Sequence, residues 1–588
     1  MVSSHFPTHA VFHVLMLRRA ASRLVAHGQR RALKSTLAST VSATQPRPSS
    51  GGVWRALGKG ALAVAGATAG AIYYRMQKDE GFSRSAYFYA KVLPAYVDYR
   101  MTQIYVEDIL KLPDAEQDVY YERLHNRYSD EIFDVILNLK GFYIKIAQLS
   151  STRDDFVPKQ YLDRAKQLQS DAPCKTIDEV KAIIENAYGK RMDEVFASFD
   201  PTPLGAASIG QVHKAVLLDG TTVVVKVQYP DAEKNFRNDI GTIKSFCALA
   251  QPAHLPMMNE IEKQFMNEFD YTREAAHLAE VRANIQASPY NASFVVPMPY
   301  PELCTKDVLV MEYLKGKSLL DGINQHFEII AKERNTTVEA LREAQDKEDA
   351  ERDALGLARR TGPSEEDLRR YQKLLQVRNA WTSAKHKLYD YSIGLVYPRT
   401  ADAADHKPEG TLLNLAEILR LVVEVHGHEI LVNGCFNGDP HPGNIMLLDD
   451  GRIGLIDYGQ VKKISKEQRH QLARCFVALA EGTKEDVVAS ALDMGLRTKH
   501  NYPDVLEKYM RVAFDRDDKQ VTEGLNIQLF IEALEARDPI VSQADDFVMA
   551  SRVSLLLRGL SYALRYPMSH AQMWLPLAKQ VLAAEADT

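Results

Sequence analysis

The chain has 588 residues, enough for roughly two to four folded units, with 46% hydrophobic residues, 25% charged residues and a net charge of −5. Those proportions permit a sizeable core and exclude global disorder, and so mild a charge excludes a nucleic-acid partner. Five cysteines (Cys174, Cys247, Cys304, Cys435 and Cys475) include no CxxC pair, which excludes a zinc site or a disulfide framework.

The N-terminus carries Arg18, Arg19, Arg23, Arg30, Arg31, Lys34, Arg47 and Arg55 among Ser, Thr and Ala, and no acidic residue precedes Asp79. An acid-free, Arg- and Ser-rich leader predicts an organelle transit peptide over residues 1–50. An uncharged run from Gly60 to Tyr74 follows. Snorkelling by Lys59 and interfacial Trp54, Tyr73 and Tyr74 would extend it, so one transmembrane helix is predicted over 56–75, with Gly66 and Gly70 at GxxxG spacing.

Apolar residues at three- and four-residue steps predict a helical extension over 83–190. Two β-rich runs, Gln211–Leu218 and Thr221–Gln228, are joined by Asp219-Gly220, a hairpin signal. A helical stretch over 231–287 and a short strand at 307–311 complete a small β-rich unit over 191–316. Residues 317–482 read as mostly helical, with a charge-dense surface insertion at about 325–410 and a helix at 412–432. There a second hairpin, Ile445–Leu448 and Ile453–Ile456, flanks Asp449-Asp450-Gly451. Residues 483–588 read as helices broken at Pro503, Pro539 and Pro567. A helical extension, a β-rich lobe and a helical lobe predict an α+β, two-lobed, protein-kinase-like fold.

Phosphoryl transfer needs phosphates held, magnesium held between them and the acceptor oriented. "GDPHPGN" supplies Asp439 and, five residues on, Asn444, while "LIDYG" supplies Asp457 at the end of the next strand. That is the spacing of a D-x-x-x-x-N loop followed by a metal-binding Asp. Asp439 can orient an acceptor hydroxyl, and Asn444 and Asp457 offer hard oxygens suited to Mg²⁺. Lys226, late in a Val-rich strand, can reach phosphates from a rigid element, and Glu274 on the following helix can pair with it. In place of a G-x-G-x-x-G loop stands "PLGAASIGQVH", in which Ala206 and Ala207 remove the freedom glycines would give.

Together "AASIGQVHKA", "VVVKVQYP", "EFDYTREAA", "DPHPGN" and "LIDYG" resemble the UbiB or aarF-domain atypical kinases, over roughly residues 139–482. The resemblance implies nucleotide contacts at Gly205, Ala206, Ala207, Ser208, Lys226, Glu312 and Tyr313, and catalytic roles for Asp439, Lys226 and Glu274. Metal would fall to Asn444 and Asp457. The family's E-x-D signature maps to Glu268 and Asp270, and its K-x-G-Q signature, covering the active site, to Lys145 and Gln148 with Ala147 replacing Gly. Asn437 stands where the family usually has His, and Tyr458 keeps an aromatic. The resemblance implies an ATP- or ADP- and Mg²⁺-dependent phosphotransferase or ATPase in mitochondrial lipid or ubiquinone metabolism. It would be a single-pass inner-membrane protein, with a lipid or ubiquinone precursor or a membrane protein complex as partner. A small-molecule phosphotransferase of the choline or aminoglycoside kinase type and a nucleotide-sensing scaffold stand as alternatives.

Overall fold

The computed structural model describes residues 74–150, 158–161, 164, 174–206, 209–250, 255–355, 360–391, 413–525 and 527–586. The leader and, apart from Tyr74 and Arg75, the predicted span over 56–75 lie outside these residues. Among the described residues no helix is long and apolar enough to cross a membrane.

The chain opens with α1 (Glu80–Gln103), α2 (Asp114–Leu139), α3 (Phe142–Ser150) and α4 (Ile177–Tyr188). Asp79 caps α1 through Phe82 N–H at 3.1 Å, and Thr176 with Glu179 forms a capping box at α4. Strands β1 (Phe196–Phe199), β2 (Gly205–Ala206), β3 (Gly210–Leu217) and β4 (Thr222–Gln228) follow, then α5 (Ala232–Ala250), α6 (Leu255–Met266) and α7 (Tyr271–Gln286). The predicted β3–β4 hairpin is present, and Gly220 makes its turn at φ +89°, where any Cβ would be strained. The helical stretch predicted over 231–287 is three helices, Ala232–Ala250, Leu255–Met266 and Tyr271–Gln286, the last two separated by the turn Asn267–Phe269.

Next come β5 (Phe294–Val295), β6 (Val308–Glu312) and β7 (Gly316–Ser318), then α8 (Leu319–Glu333), α9 (Val338–Ala354), α10 (Glu365–Tyr391) and α11 (Leu415–His428). Four short strands, β8 (Cys435–Asn437), β9 (Ile445–Leu448), β10 (Ile453–Leu455) and β11 (Val461–Lys463), precede α12 (Lys466–Glu481) and α13 (Lys484–Asp493). The chain closes with β12 (Arg497–Thr498), α14 (Pro503–Phe514), α15 (Ile527–Arg537), β13 (Ile540–Ser542), α16 (Asp545–Ala563) and α17 (His570–Ala586). Pro503 opens α14 where its missing N–H costs nothing, and Pro539 and Pro567 fall between elements. One sheet runs β1-β3-β4-β6 with β2 on β3, and a second runs β5-β10-β9-β7, in which β5 and β10 are parallel.

Two compact units result: Met1–Thr221 with Val225–Phe269 and Thr305–Val308, and Thr222–Val224 with Asp270–Cys304 and Leu309–Thr588. In the first, α1, α2 and α3 bury Phe88, Val92, Ile136, Tyr143 and Ala147 with Phe236 and Phe246 of α5. Each fully buried large apolar side chain contributes about 1.5–3 kcal/mol. Phe142 meets Phe236 edge-on at 5.0 Å, and Arg84 donates through Nε to Asp239 at 2.9 Å, fixing α1 on α5. In the second unit, Trp574 of α17 is fully buried and donates to the Val423 carbonyl at 2.8 Å, locking the C-terminal helix onto α11.

Candidate active site

The second hairpin sets the geometry. Gly451 turns it at φ +89°, and antiparallel pairing places Ile445 opposite Leu455. One step further out, Ile456 N–H donates to the Asn444 carbonyl at 3.1 Å. Asn444 and Asp457 therefore sit at neighbouring strand ends. Asp457 Oδ1 accepts from Gly459 N–H at 3.0 Å, which orients the carboxylate.

Asn437, at the end of β8, joins this hairpin to the loop of Asp439. Its Nδ2 donates to the Asp457 carbonyl at 2.8 Å and its Oδ1 accepts from Asp439 N–H at 2.8 Å. The residue that departs from the family pattern thus supports the loop through two bonds of its own. His441 N–H donates to the Asp439 carbonyl at 2.7 Å, tightening the turn.

Helix α7 closes the site from another side. Asp270 caps it, accepting from Thr272 N–H at 3.1 Å, and Glu274 follows one turn in, 4% exposed. A Cβ on Gly459 would lie 3.3 Å from Asp457 Oδ1 and 3.7 Å from Glu274 Oε2, so both carboxylates flank that glycine and a side chain there would crowd them. One turn along α7, burial lowers the His277 imidazole's pKa, opposed by its hydrogen bond to the Tyr458 backbone. The Tyr458 ring is fully buried, and its hydroxyl donates to Glu429 Oε1 at 3.1 Å. Burial pushes the Glu429 carboxyl up to about 8, against the hydrogen bonds from Tyr458 and the Asn437 backbone.

A cation joins from the far C-terminus. Arg552 of α16 places Nη2 3.7 Å from Asp439 Oδ1 and donates through Nη1 to Gln460 Oε1 at 3.0 Å. Sequence reading missed Arg552, Gln460 and His277. Only Gln460, directly after "DYG", carried a positional signal; the other two lie on helices whose faces the pattern could not assign.

Among the other predicted residues, Lys226 is half-buried in β4, on the face opposite the fully buried Val225 and Val227. It stands in the first unit, whereas Glu274, Asp439, Asn444 and Asp457 stand in the second. Gly205 and Ala206 form β2, paired with Val212 and Gln211, while Ala207 and Ser208 lie outside the described residues. Lys145 and Gln148 lie on α3, their side chains outside the described residues; Ala147 between them is fully buried. Glu268 is half-buried in the turn Asn267–Phe269. Glu312 ends β6, and its side chain accepts from Arg282 at 3.1 Å and from Met298 N–H at 3.1 Å, a structural engagement; Tyr313, next along, is half-buried.

Among the described residues no group of three or more His, Cys, Asp or Glu side chains could hold a metal unaided. One carboxylate and one amide oxygen beside each other are instead a donor set for Mg²⁺, which takes few protein ligands and completes its shell with phosphate and water.

A family model for the ABC1 atypical kinase-like domain matches residues 167–341 and 402–491, the break falling across much of α9 and α10. The chain is similar to AarF domain-containing protein kinase 1 of Gallus gallus, 25% identical over 66% of this chain and 60% of the relative. It is similar to the "Probable protein kinase UbiB" of Azotobacter vinelandii, 36% identical over 31% of this chain and 35% of that one. It also resembles "Protein ACTIVITY OF BC1 COMPLEX KINASE 8, chloroplastic" of Arabidopsis thaliana, 27% identical over 61% of this chain and 38% of that one. Each of these matches spans less than two thirds of the relative's own length. The fold is kinase-like, with mixed helix and sheet. Residues 167–341 and 402–491 thus carry the ABC1/AarF atypical kinase domain, shared with relatives named for the aarF and UbiB kinases.

Proposed function

We propose that this protein binds a magnesium nucleotide and transfers or hydrolyses its terminal phosphoryl group, acting in mitochondrial lipid or ubiquinone metabolism from a membrane tether at residues 56–75. The observation that carries this reading is the tie between Asp439 and Asp457 through Asn437, next to the Asn444–Ile456 bond. It holds an acceptor-orienting carboxylate and two metal donors in one rigid constellation, which is what phosphoryl transfer asks of a protein.

Asn444 and Asp457 would hold Mg²⁺, which when bound neutralises phosphate charge. Asp439 orients the attacking hydroxyl or water and takes up its proton. Lys226 supplies a cation for the nucleotide phosphates, with Gly205, Ala206, Ala207 and Ser208 as the loop over them and Glu312 and Tyr313 beside the base. Glu274, flanking Gly459 with Asp457, orders the metal-binding segment. Lys145, Gln148, Glu268 and Asp270 serve the cover over the site.

The test is the melting temperature of the purified chain with Mg-ATP and with Mg-ADP. Nucleotide is expected to raise it in the wild type and not in Asp457→Asn, and Asp439→Asn is expected to keep the rise while lowering ATP turnover by about 100-fold or more. An unchanged rise in Asp457→Asn removes the metal assignment; unchanged turnover in Asp439→Asn removes its catalytic role.

A further inference from the structure

Two hydrogen bonds fix the backbone of Asp439: its N–H donates to Asn437 Oδ1 at 2.8 Å and its carbonyl accepts from His441 N–H at 2.7 Å. Neither restrains the carboxylate, which turns about two side-chain torsions. Among the described residues, Arg552 is the one cation within ion-pair range of it. The pair is mostly shielded, with side chains 13% and 23% exposed, so its attraction is screened far less than that of a surface pair.

Arg552 is itself held. Gln460 Oε1 takes its Nη1 at 3.0 Å, and the Gln460 carbonyl takes Gly438 N–H at 2.7 Å. Gly438, Asp439, Arg552 and Gln460 thus close a ring of contacts, joining the loop of the acceptor-orienting carboxylate to the segment that begins at Asp457. A guanidinium suits this place because its planar fork serves two acceptors in fixed directions at once. Met549, three residues earlier on α16, packs against Gly438, so the helix that delivers Arg552 is seated on the same loop.

We propose that Arg552 is a positioning residue for Asp439: it sets the direction of that carboxylate towards the acceptor and couples it to the metal-binding segment through Gln460. The proposal rests on the phosphotransfer reading above. It makes the C-terminal helix α16 part of the reaction machinery although it lies beyond the matched segments, which end at residue 491. Its effect belongs on turnover rather than on nucleotide capture, because neither Arg552 nor Asp439 belongs to the metal or phosphate set.

The experiment uses the full chain with Mg-ATP, comparing wild type, Arg552→Gln, Arg552→Lys, Asp439→Asn and the double variant Arg552→Gln/Asp439→Asn. Arg552→Gln is expected to lower kcat by about 10- to 100-fold, with KM and the nucleotide-induced melting shift changed less than about twofold. Arg552→Lys keeps the charge and recovers part of kcat. In the Asp439→Asn background Arg552→Gln causes no further loss, as expected of residues acting through one another. A wild-type rate in Arg552→Gln overturns the proposal, as does an equal fold-loss in both backgrounds, or a loss confined to KM. Should Arg552→Gln fail to fold, Arg552→Lys alone and with Asp439→Asn provides the same comparison. A wild type that neither binds nor turns over Mg-ATP overturns the phosphotransfer reading and Arg552 with it; a wild type that turns over as fast as Arg552→Gln overturns Arg552 alone.

Discussion

Truncating Asn437 to Ala takes away an amide that serves two backbone groups at once, the Asp457 carbonyl and the Asp439 N–H. The side chain is buried, so both partners lose a bond that water cannot easily replace. Asn437→Ala is expected to lower unfolding free energy by about 1–3 kcal/mol, read from the denaturant midpoint, and to lower turnover by more than that loss explains. A change confined to stability would mean that the loop keeps its shape without the amide. Glu429, behind Tyr458, makes a separate prediction. Its carboxyl, pushed up to about 8 by burial, holds its proton more tightly in the folded chain than in the unfolded one. Its contribution to stability is therefore complete below the ordinary carboxylate range and is lost as pH rises towards about 8. The melting temperature should fall across that window in the wild type and fall less in Glu429→Gln; identical slopes would assign the trend to other groups.

Among elements, the sheet β5-β10-β9-β7 seats the hairpin that carries Asn444 and Asp457, the proposed metal donors, and β7 approaches β9 too closely for a side chain at Gly316. A Cβ there would lie 2.8 Å from Leu448 Cα, and backbone on that side cannot yield cheaply. Gly316→Ala is expected to cost about 1–3 kcal/mol and to weaken Mg-nucleotide binding with it, since β9 starts at the residue after Asn444. Nucleotide binding unchanged by a destabilising Gly316→Ala would mean that the hairpin holds its ends without β7. Both hairpins were legible in the sequence because Asp-Gly between β-branched runs has a local cause: a turn that needs positive φ. That Asn444 and Asp457 come close was legible because a hairpin brings residues distant by its own length together. Arg552 and His277 were illegible for the opposite reason. Each reaches the site through the packing of a helix face, which pairs residues far apart in the chain without leaving a spacing to read.

For the whole molecule, the charge-dense insertion reads in sequence as a solvated surface segment, and the structure ties it down. Arg420 of α11 donates to Glu365 at 3.1 Å, Arg369 to Glu417 at 2.8 Å, and Arg565 to Asp349 at 2.9 Å. Alternating charge in the sequence shows that such pairs can form but not with whom, since ion partners have no fixed spacing outside a single helix. The leader is argued from composition alone. A reporter fused to Met1–Lys78 should reach mitochondria in microscopy, and cytosolic signal would sink the targeting and tether readings together.

The bond from Ile456 N–H to the Asn444 carbonyl also decides what the hairpin can tolerate. Residues 449–452 only turn the chain, so their composition and number can change while Ile445 stays opposite Leu455. A slip of β9 against β10 by one residue turns one strand over relative to the other and breaks the bond that brings Asp457 next to Asn444. The turn is free to drift; the ladder behind it is not.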